Sequence, residues 1–231
     1  MTPLEGRLAL VTGASRGIGA EVAAALARSG ARVVRVARSL QRGAHGGYDD
    51  RPCDMSDPAA VAELTRAVLS DAGTPDIVVS NAGVFDRIPL ERATVEELQR
   101  QLAVNLIGPF ALARGLLPAM RTRGSGLHIA VGSVADHHGF PENSIYSATK
   151  YGLRGLHEAL SAEYRGSGVR FTLVSPGQTD TAIWDSVGTE GRSSMRSRHS
   201  MLRATDVADA IHFVATRPSH VIIDWLRLGP V

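Results

Sequence analysis

Lys150 is the only lysine among the 25 basic residues of this chain, and it stands four positions after Tyr146 in the segment Tyr146-Ser147-Ala148-Thr149-Lys150. On a helix that spacing places both side chains on one face, about 6 Å apart. A phenol with an ordinary pKa near about 10 is a slow acid and a poor base at neutral pH. An adjacent ammonium favours its ionised form and brings it toward general acid/base work. Arginine, a flat fork with a pKa above about 12, is no substitute for that compact point charge. Ser133 closes an apolar run upstream of the tyrosine and can offer a hydrogen bond to a substrate oxygen beside the phenol. A serine or tyrosine taken singly is more often surface or packing, so the set gains its weight from what accompanies it.

What accompanies it is Thr12-Gly13-Ala14-Ser15-Arg16-Gly17-Ile18-Gly19, which joins an apolar run to a helical stretch. Glycines let the backbone approach a pyrophosphate, and the first N–H groups of the helix, with its dipole, favour the negative charge. The alternative is a tight structural turn, but the strand, glycine turn and helix in this order favour a dinucleotide. The end of the second strand reads Val36-Ala37-Arg38-Ser39. It lacks the acidic residue that would bind the ribose hydroxyls of NAD, and Arg38 with Arg16 can clamp a 2′-phosphate through forked, charge-assisted bonds. NADP(H) is therefore expected over NAD(H).

These residues need strands that end together and helices that begin beside them. Leu8–Thr12, Arg32–Ala37, Ile77–Ser80, Leu127–Gly132, Phe171–Ser175 and Val221–Leu226 are short runs rich in Val, Ile and Leu, the pattern of parallel strands buried on both faces. Ile18–Arg28, Pro58–Ala72, Val95–Met120, Tyr146–Tyr164 and Thr205–Thr216 carry apolar residues at helical spacing. Asp57-Pro58 and Thr205-Asp206 read as helix starts with a capping side chain in front. The fold class is therefore α/β: a three-layer, doubly wound parallel sheet of about seven strands in one catalytic domain, residues 1–231. Ser39 to Arg51 holds no amphipathic helix, so the crossover there is shortened or irregular before a strand near Asp49 to Pro52. Gln178 to Arg203, long and polar, is expected to form a lid over the site.

Composition excludes other classes. Hydrophobic residues at 44% and charged residues at 21% supply an ordinary core. A net charge of +2, with no basic stripe, argues against nucleic acid. No stretch approaches a bilayer span of uncharged residues, and the first ten residues hold Glu5 and Arg7 where a signal peptide needs an apolar run. A cytoplasmic protein without a membrane partner is expected. Cys53 is alone, so it forms no internal disulfide and reads as an inert thiol, and no metal site is expected. The adjacent His137 and His138 point apart and do not make a metal pair.

With these motifs in hand the chain resembles the short-chain dehydrogenase/reductase family over nearly its whole length. The resemblance is carried in order by Thr12 to Gly19, Asp54, Asn81-Ala82-Gly83, Asn105, Ser133, Tyr146, Lys150, Pro176-Gly177 and Thr181. It implies that Tyr146 exchanges the proton with the substrate oxygen and that Lys150 lowers its pKa and binds the nicotinamide ribose. Ser133 would orient the carbonyl, and Asn105 would support a water leading from Lys150 to solvent. Gly13, Ser15, Arg16, Gly17, Ile18, Gly19, Arg38, Asp54, Asn81, Ala82, Gly83, Pro176, Gly177, Thr179 and Thr181 would line the cofactor. Asp54 would bond the adenine amino group and Thr181 the carboxamide. Thr179 departs from the pattern, which usually has an aliphatic residue there. The ending Pro230-Val231 resembles that of a subgroup of short reductases that includes NADP-dependent hydroxy-acid dehydrogenases and biosynthetic reductases. Ala135, His138, Gln178 and Trp184 are candidate substrate contacts.

The expected function is NADP(H)-dependent interconversion of a ketone and a secondary alcohol. Two rivals stand beside it: a dinucleotide-binding sensor without turnover, and a reductase of carrier-bound 3-oxoacyl chains. A sensor has no need of a tuned phenol. Apolar residues on more than one face of the helices at 95–120 and 146–164 point to a homodimer or homotetramer.

Overall fold

A computed structural model describes residues 2–185 and 197–231. Strand β1 (Leu8–Thr12) is completely buried and leads through the glycine turn into α1 (Gly17–Arg28). Strand β2 (Arg32–Val36) pairs parallel to β1 with Leu8 opposite Arg32. The chain then runs through β3 (Gly43–His45), β4 (Tyr48–Arg51), α2 (Pro58–Asp71) and β5 (Ile77–Ser80). Beyond lie α3 (Val95–Leu102), a π-helical turn (Ala103–Ile107), α4 (Gly108–Arg123), β6 (Gly126–Val131), α5 (Ser144–Glu163) and β7 (Val169–Pro176). A short pair, β8 (Thr179–Asp180) and β9 (Leu202–Arg203), precedes α6 (Ala204–Ala215) and β10 (Trp225–Leu228).

Eight strands form one sheet in the order β10-β7-β6-β5-β1-β2-β4-β3, one more than the seven expected. All pairs are parallel except β3 with β4. The extra strand comes from the segment that lacked an amphipathic helix. Gly46 and Gly47, at φ 59° and 85°, turn the chain between His45 and Tyr48, so a hairpin stands where a crossover helix would be. Two central residues with positive φ are the turn that matches strand twist. Bidentate bonds from Arg35 to Asp50, both 2.7 Å, fasten the hairpin to β2.

Alternation along β1 sends Ala9 and Val11 to one face and Leu8 and Leu10 to the other. The first face packs on Val22 and Leu26 of α1 and Ile211 and Val214 of α6. The second packs on Val61 and Val68 of α2 and Leu112, Leu116 and Met120 of α4. Three layers follow. The helix at 95–123 is long and apolar enough by composition to cross a membrane, but Leu112, Leu116, Leu117 and Met120 spend that apolar side on the core.

Most boundaries shift by one or two residues, and three departures from the sequence reading have a local cause. The final strand starts at Trp225 rather than Val221, because Asp224 turns its carboxylate back to the Trp225 N–H and its carbonyl to Leu173. Asp206, not Thr205, caps α6, accepting the Arg203 N–H from inside the first turn at 2.8 Å. The helix expected over 95–120 widens into the π-helical turn. Pro109 has no N–H for the Asn105 carbonyl four residues back and its ring crowds that carbonyl, a conflict the wider turn relieves. Residues 186–196 of the expected lid lie outside the described residues.

Candidate active site

The order in which successive strands are laid down reverses between β1 and β5, and a crevice opens there at the carboxyl ends of these parallel strands. Thr12 latches its two walls together. Its Oγ1 accepts the N–H groups of Asn81 and Ala82 at 3.0 Å each, and its carbonyl accepts Asn81 Nδ2 at 2.9 Å. The sequence placed Thr12 in the turn motif without this role, which rests on residues almost seventy positions away.

The glycine turn is built for close approach. A Cβ on Gly19 would lie 2.3 Å from the Gly13 carbonyl oxygen, and one on Gly13 would lie 2.9 Å from the Ala82 backbone. No side chain caps α1 and no acidic residue sits in its first turn, so the leading N–H groups face the crevice without a rival anion. These features fit a dinucleotide phosphate.

The cleft encloses about 640 Å³. Gly13, Ser15, Arg16, Gly17 and Ile18 line it beside the glycine turn, together with Arg38, Asp54, Asn81, Ala82 and Gly83. Arg38 is exposed and stands 3.8 Å from the Asp54 carboxylate. Asp54 is pulled down chiefly by the Ser56 N–H, with help from Arg38. Ser133, Ala135, Tyr146, Lys150, Pro176, Gly177, Gln178, Thr179, Thr181 and Trp184 also line the cleft. Gly19 and Asn105 lie behind the lining, and His138 lies outside it, exposed, with its ring against Phe140. Its ring packs on Phe140 of the lining, so His138 stands next to the cleft wall rather than in it.

Ser133 follows β6 and begins a short turn in which its Oγ accepts the Ala135 N–H at 3.1 Å. The Ser133 side chain also stands near enough to the Tyr146 phenol to ease its ionisation. Burial pushes that phenol up to about 12, outweighing the pull of Ser133 in the other direction. This reverses the expectation that a neighbouring cation sets the value: loss of water is the larger effect here. Burial likewise pushes Lys150 down to about 8. Its Nζ donates to the Val131 carbonyl at 3.0 Å and lies 5.7 Å from the Tyr146 ring centroid.

Asn105 is held at the π-helical turn. Its Oδ1 accepts the Val84 N–H at 2.9 Å, while Nδ2 donates to the Val84 carbonyl at 2.9 Å and to Thr149 Oγ1 at 3.1 Å. Thr149 in turn donates to the Tyr146 carbonyl at 2.8 Å. A Cβ on Gly83 would sit 3.3 Å from Asn105 Oδ1 and 3.9 Å from Lys150 Nζ, which shows how closely these groups converge.

Sequence reasoning missed Asp136. Its carboxylate is wholly buried and accepts the Ser133 N–H at 3.0 Å and the Ser175 hydroxyl at 2.6 Å, with His137 Nδ1 at 2.7 Å. Phe85, Arg87 and Phe140 also line the cleft without having been foreseen. Phe85 stands two positions after Asn81-Ala82-Gly83, which was the available signal. Cys53 is buried, and burial pushes its thiol up to about 11, which suits an inert role.

Comparison with known proteins places this geometry. The family described as short chain dehydrogenase matches residues 7–191. Glycine betaine reductase ATRR of Emericella nidulans is 34% identical over 99% of this chain, which spans only 19% of that protein. D-threitol dehydrogenase of Mycolicibacterium smegmatis is 31% identical over 95% of this chain and 89% of its own length. The solved structure of an alcohol dehydrogenase from the archaeon Thermococcus sibiricus, complexed with 5-hydroxy-NADP, superposes with a TM-score of 0.87 at 30% identity, covering 97% of each chain. The glycine turn, the latched crevice and the Ser133–Tyr146–Lys150 cluster thus sit in a chain that belongs to the short chain dehydrogenase family.

Proposed function

We propose that this chain is one catalytic domain of an NADP(H)-dependent oxidoreductase that interconverts a ketone and a secondary alcohol. The observation that carries the reading is that Ser133, Tyr146 and Lys150 line the same cleft as the glycine turn. When bound, the nicotinamide cofactor supplies or accepts the hydride. Tyr146 gives the proton to the carbonyl oxygen in reduction and removes it from the alcohol in oxidation. Ser133 donates to the same oxygen and fixes its direction. Lys150 places a positive charge beside the phenol and holds the nicotinamide ribose. Asn105, pinned by Val84 and Thr149, supports the route by which the proton is restored from solvent. Arg16 and Arg38 favour NADP(H) by meeting a 2′-phosphate. Support also comes from the 5-hydroxy-NADP held by the archaeal alcohol dehydrogenase.

A phenol that burial pushes up to about 12 is neutral at physiological pH, the form that donates a proton, which favours reduction. Ile107 and Phe110 on the 103–123 segment and Tyr151 on α5 are exposed apolar residues, which supports assembly of like chains through these helices.

Fluorescence titration with NADPH and NADH, followed by turnover of a ketone panel, tests the reading with Tyr146→Phe as control. Tight NADPH binding with turnover lost in Tyr146→Phe is expected. Failure to bind either nucleotide would overturn it.

A further inference from the structure

The wall of the cleft beyond Tyr146 is aromatic. Phe85, only 8% exposed, lies edge-on between Tyr146, with ring centroids 4.7 Å apart, and Trp184, at 5.2 Å. Trp184 commits its one polar atom elsewhere, donating Nε1–H to the Thr179 carbonyl at 2.9 Å. Its ring therefore presents carbon to the cleft. Phe140 lines the cleft yet is 37% exposed, so a large apolar ring stands at the mouth with its surface still in water. Val134 and Ala135, which follow Ser133, continue the apolar surface.

Charge on this side is already matched. Beyond the Lys150 ammonium next to Tyr146, the cation lining this side among the described residues is Arg87, whose Nε meets Glu142 Oε2 at 2.7 Å. The Glu142 carbonyl also accepts the Ile88 N–H at 2.8 Å, so the two segments carrying this pair are joined through the backbone as well. A carboxylate on the substrate would have to compete with Glu142 for Arg87. A polyol would bury hydroxyls against ring carbons, which costs free energy without a partner for each.

Resting on the oxidoreductase reading above, we infer that Phe85, Trp184 and Phe140 form a subsite for an uncharged aryl or bulky apolar substituent on the reacting carbonyl carbon. The substrate class is a neutral aryl or branched-alkyl ketone, with the carbonyl at Ser133 and Tyr146 and its larger group against the three rings. Edge-to-face contact with these rings adds to the burial of apolar area.

Two measurements test this on the NADP(H)-loaded protein. The first compares kcat/KM for acetophenone, butanone and acetoacetate. Acetophenone should exceed butanone by about 30-fold, within the range that apolar pockets deliver, and acetoacetate should be slowest. The second measures, by calorimetry and without turnover, the affinities of 1-phenylethanol, 2-butanol and 3-hydroxybutanoate, which should rank in the same order. Trp184→Ala should cut the acetophenone-to-butanone ratio about tenfold, with Trp184→Phe restoring most of it. Should Trp184→Ala fail to fold, Phe140→Ala, at an exposed position, should lower the same ratio. Equal rates for acetophenone and butanone, or preference for acetoacetate, would overturn the subsite and leave the oxidoreductase reading standing. Tight 1-phenylethanol binding with no turnover of any ketone would overturn the oxidoreductase reading and leave the subsite standing.

Discussion

Ser175 on β7 donates its hydroxyl to the Asp136 carboxylate at 2.6 Å, and the same serine oxygen accepts the indole N–H of Trp225 at 2.8 Å. The edge strand β10 is thereby tied through β7 to the turn that presents Ser133, because Asp136 also holds the Ser133 N–H. Asp136→Ala leaves two buried donors without their acceptor, at about 1–3 kcal/mol each. The expected outcome is a lower Tm together with a kcat reduced about tenfold through misplacement of Ser133. Asp136→Asn keeps one acceptor oxygen and should recover part of both losses. Thermal melts and steady-state kinetics check this; a full-rate Asp136→Ala enzyme would show that the turn holds itself.

Arg38 lines the cleft, and among the described residues its one ion-pair partner is Asp54, at 3.8 Å. Arg38→Ala should raise the NADPH dissociation constant about tenfold while moving that of NADH less than about threefold, since only the former carries the 2′-phosphate. Fluorescence titration reads both. Equal losses for the two nucleotides would place Arg38 against a part they share.

Burial pushes Tyr146 up to about 12, so the tyrosinate that oxidation requires is scarce at neutral pH. Below about 8, where Lys150 keeps its charge, kcat/KM for alcohol oxidation should climb about tenfold per pH unit. Reduction needs the neutral phenol and keeps its acid throughout that window. A pH–rate series decides the matter, and an oxidation plateau near neutrality would mean that the phenol ionises far lower.

His128 on β6 and His157 on α5 stack in the core with ring centroids 6.4 Å apart. Burial pushes them down to about 3 and about 4 from their ordinary 6.5. As pH falls below about 6.5 the unfolded chain binds protons that the folded chain refuses, so this contribution to stability is complete above that value and is lost toward about 4. Tm should decline across that window, and His157→Gln or His128→Gln should flatten the slope. A Tm independent of pH between these values in the parent chain would show that the rings gain partners when protonated.

The glycine turn and the Tyr146–Lys150 pair were legible because their chemistry is local: a turn between strand and helix, and a four-residue helical spacing. The hairpin at Gly46-Gly47 was legible in principle, but the search for a crossover helix hid its turn signal. Asp136 was not legible, since Ser175 and Trp225 lie far along the chain and its neighbours His137 and His138 drew attention to metal chemistry. Phe85 and Phe140 carry no motif; only the folding of their loops onto one cleft gives them a role. The Tyr146 phenol shows the same limit, because a nearby cation can be read from spacing while the water lost around a side chain cannot.

The π-helical turn at 103–107 has a consequence for how this chain can vary. Each residue of an α-helix advances the side chains by about 100°, so the wider turn sets α3 and α4 out of phase by roughly one position. Removing a single residue there would regularise the helix and swing Asn105 off Val84 and Thr149, while the buried faces on either side would no longer share a core. Changes of length in this region are therefore confined to the loops before Thr94 and after Gly124, and the interior of the helix tolerates exchange of side chains but not a change in their number.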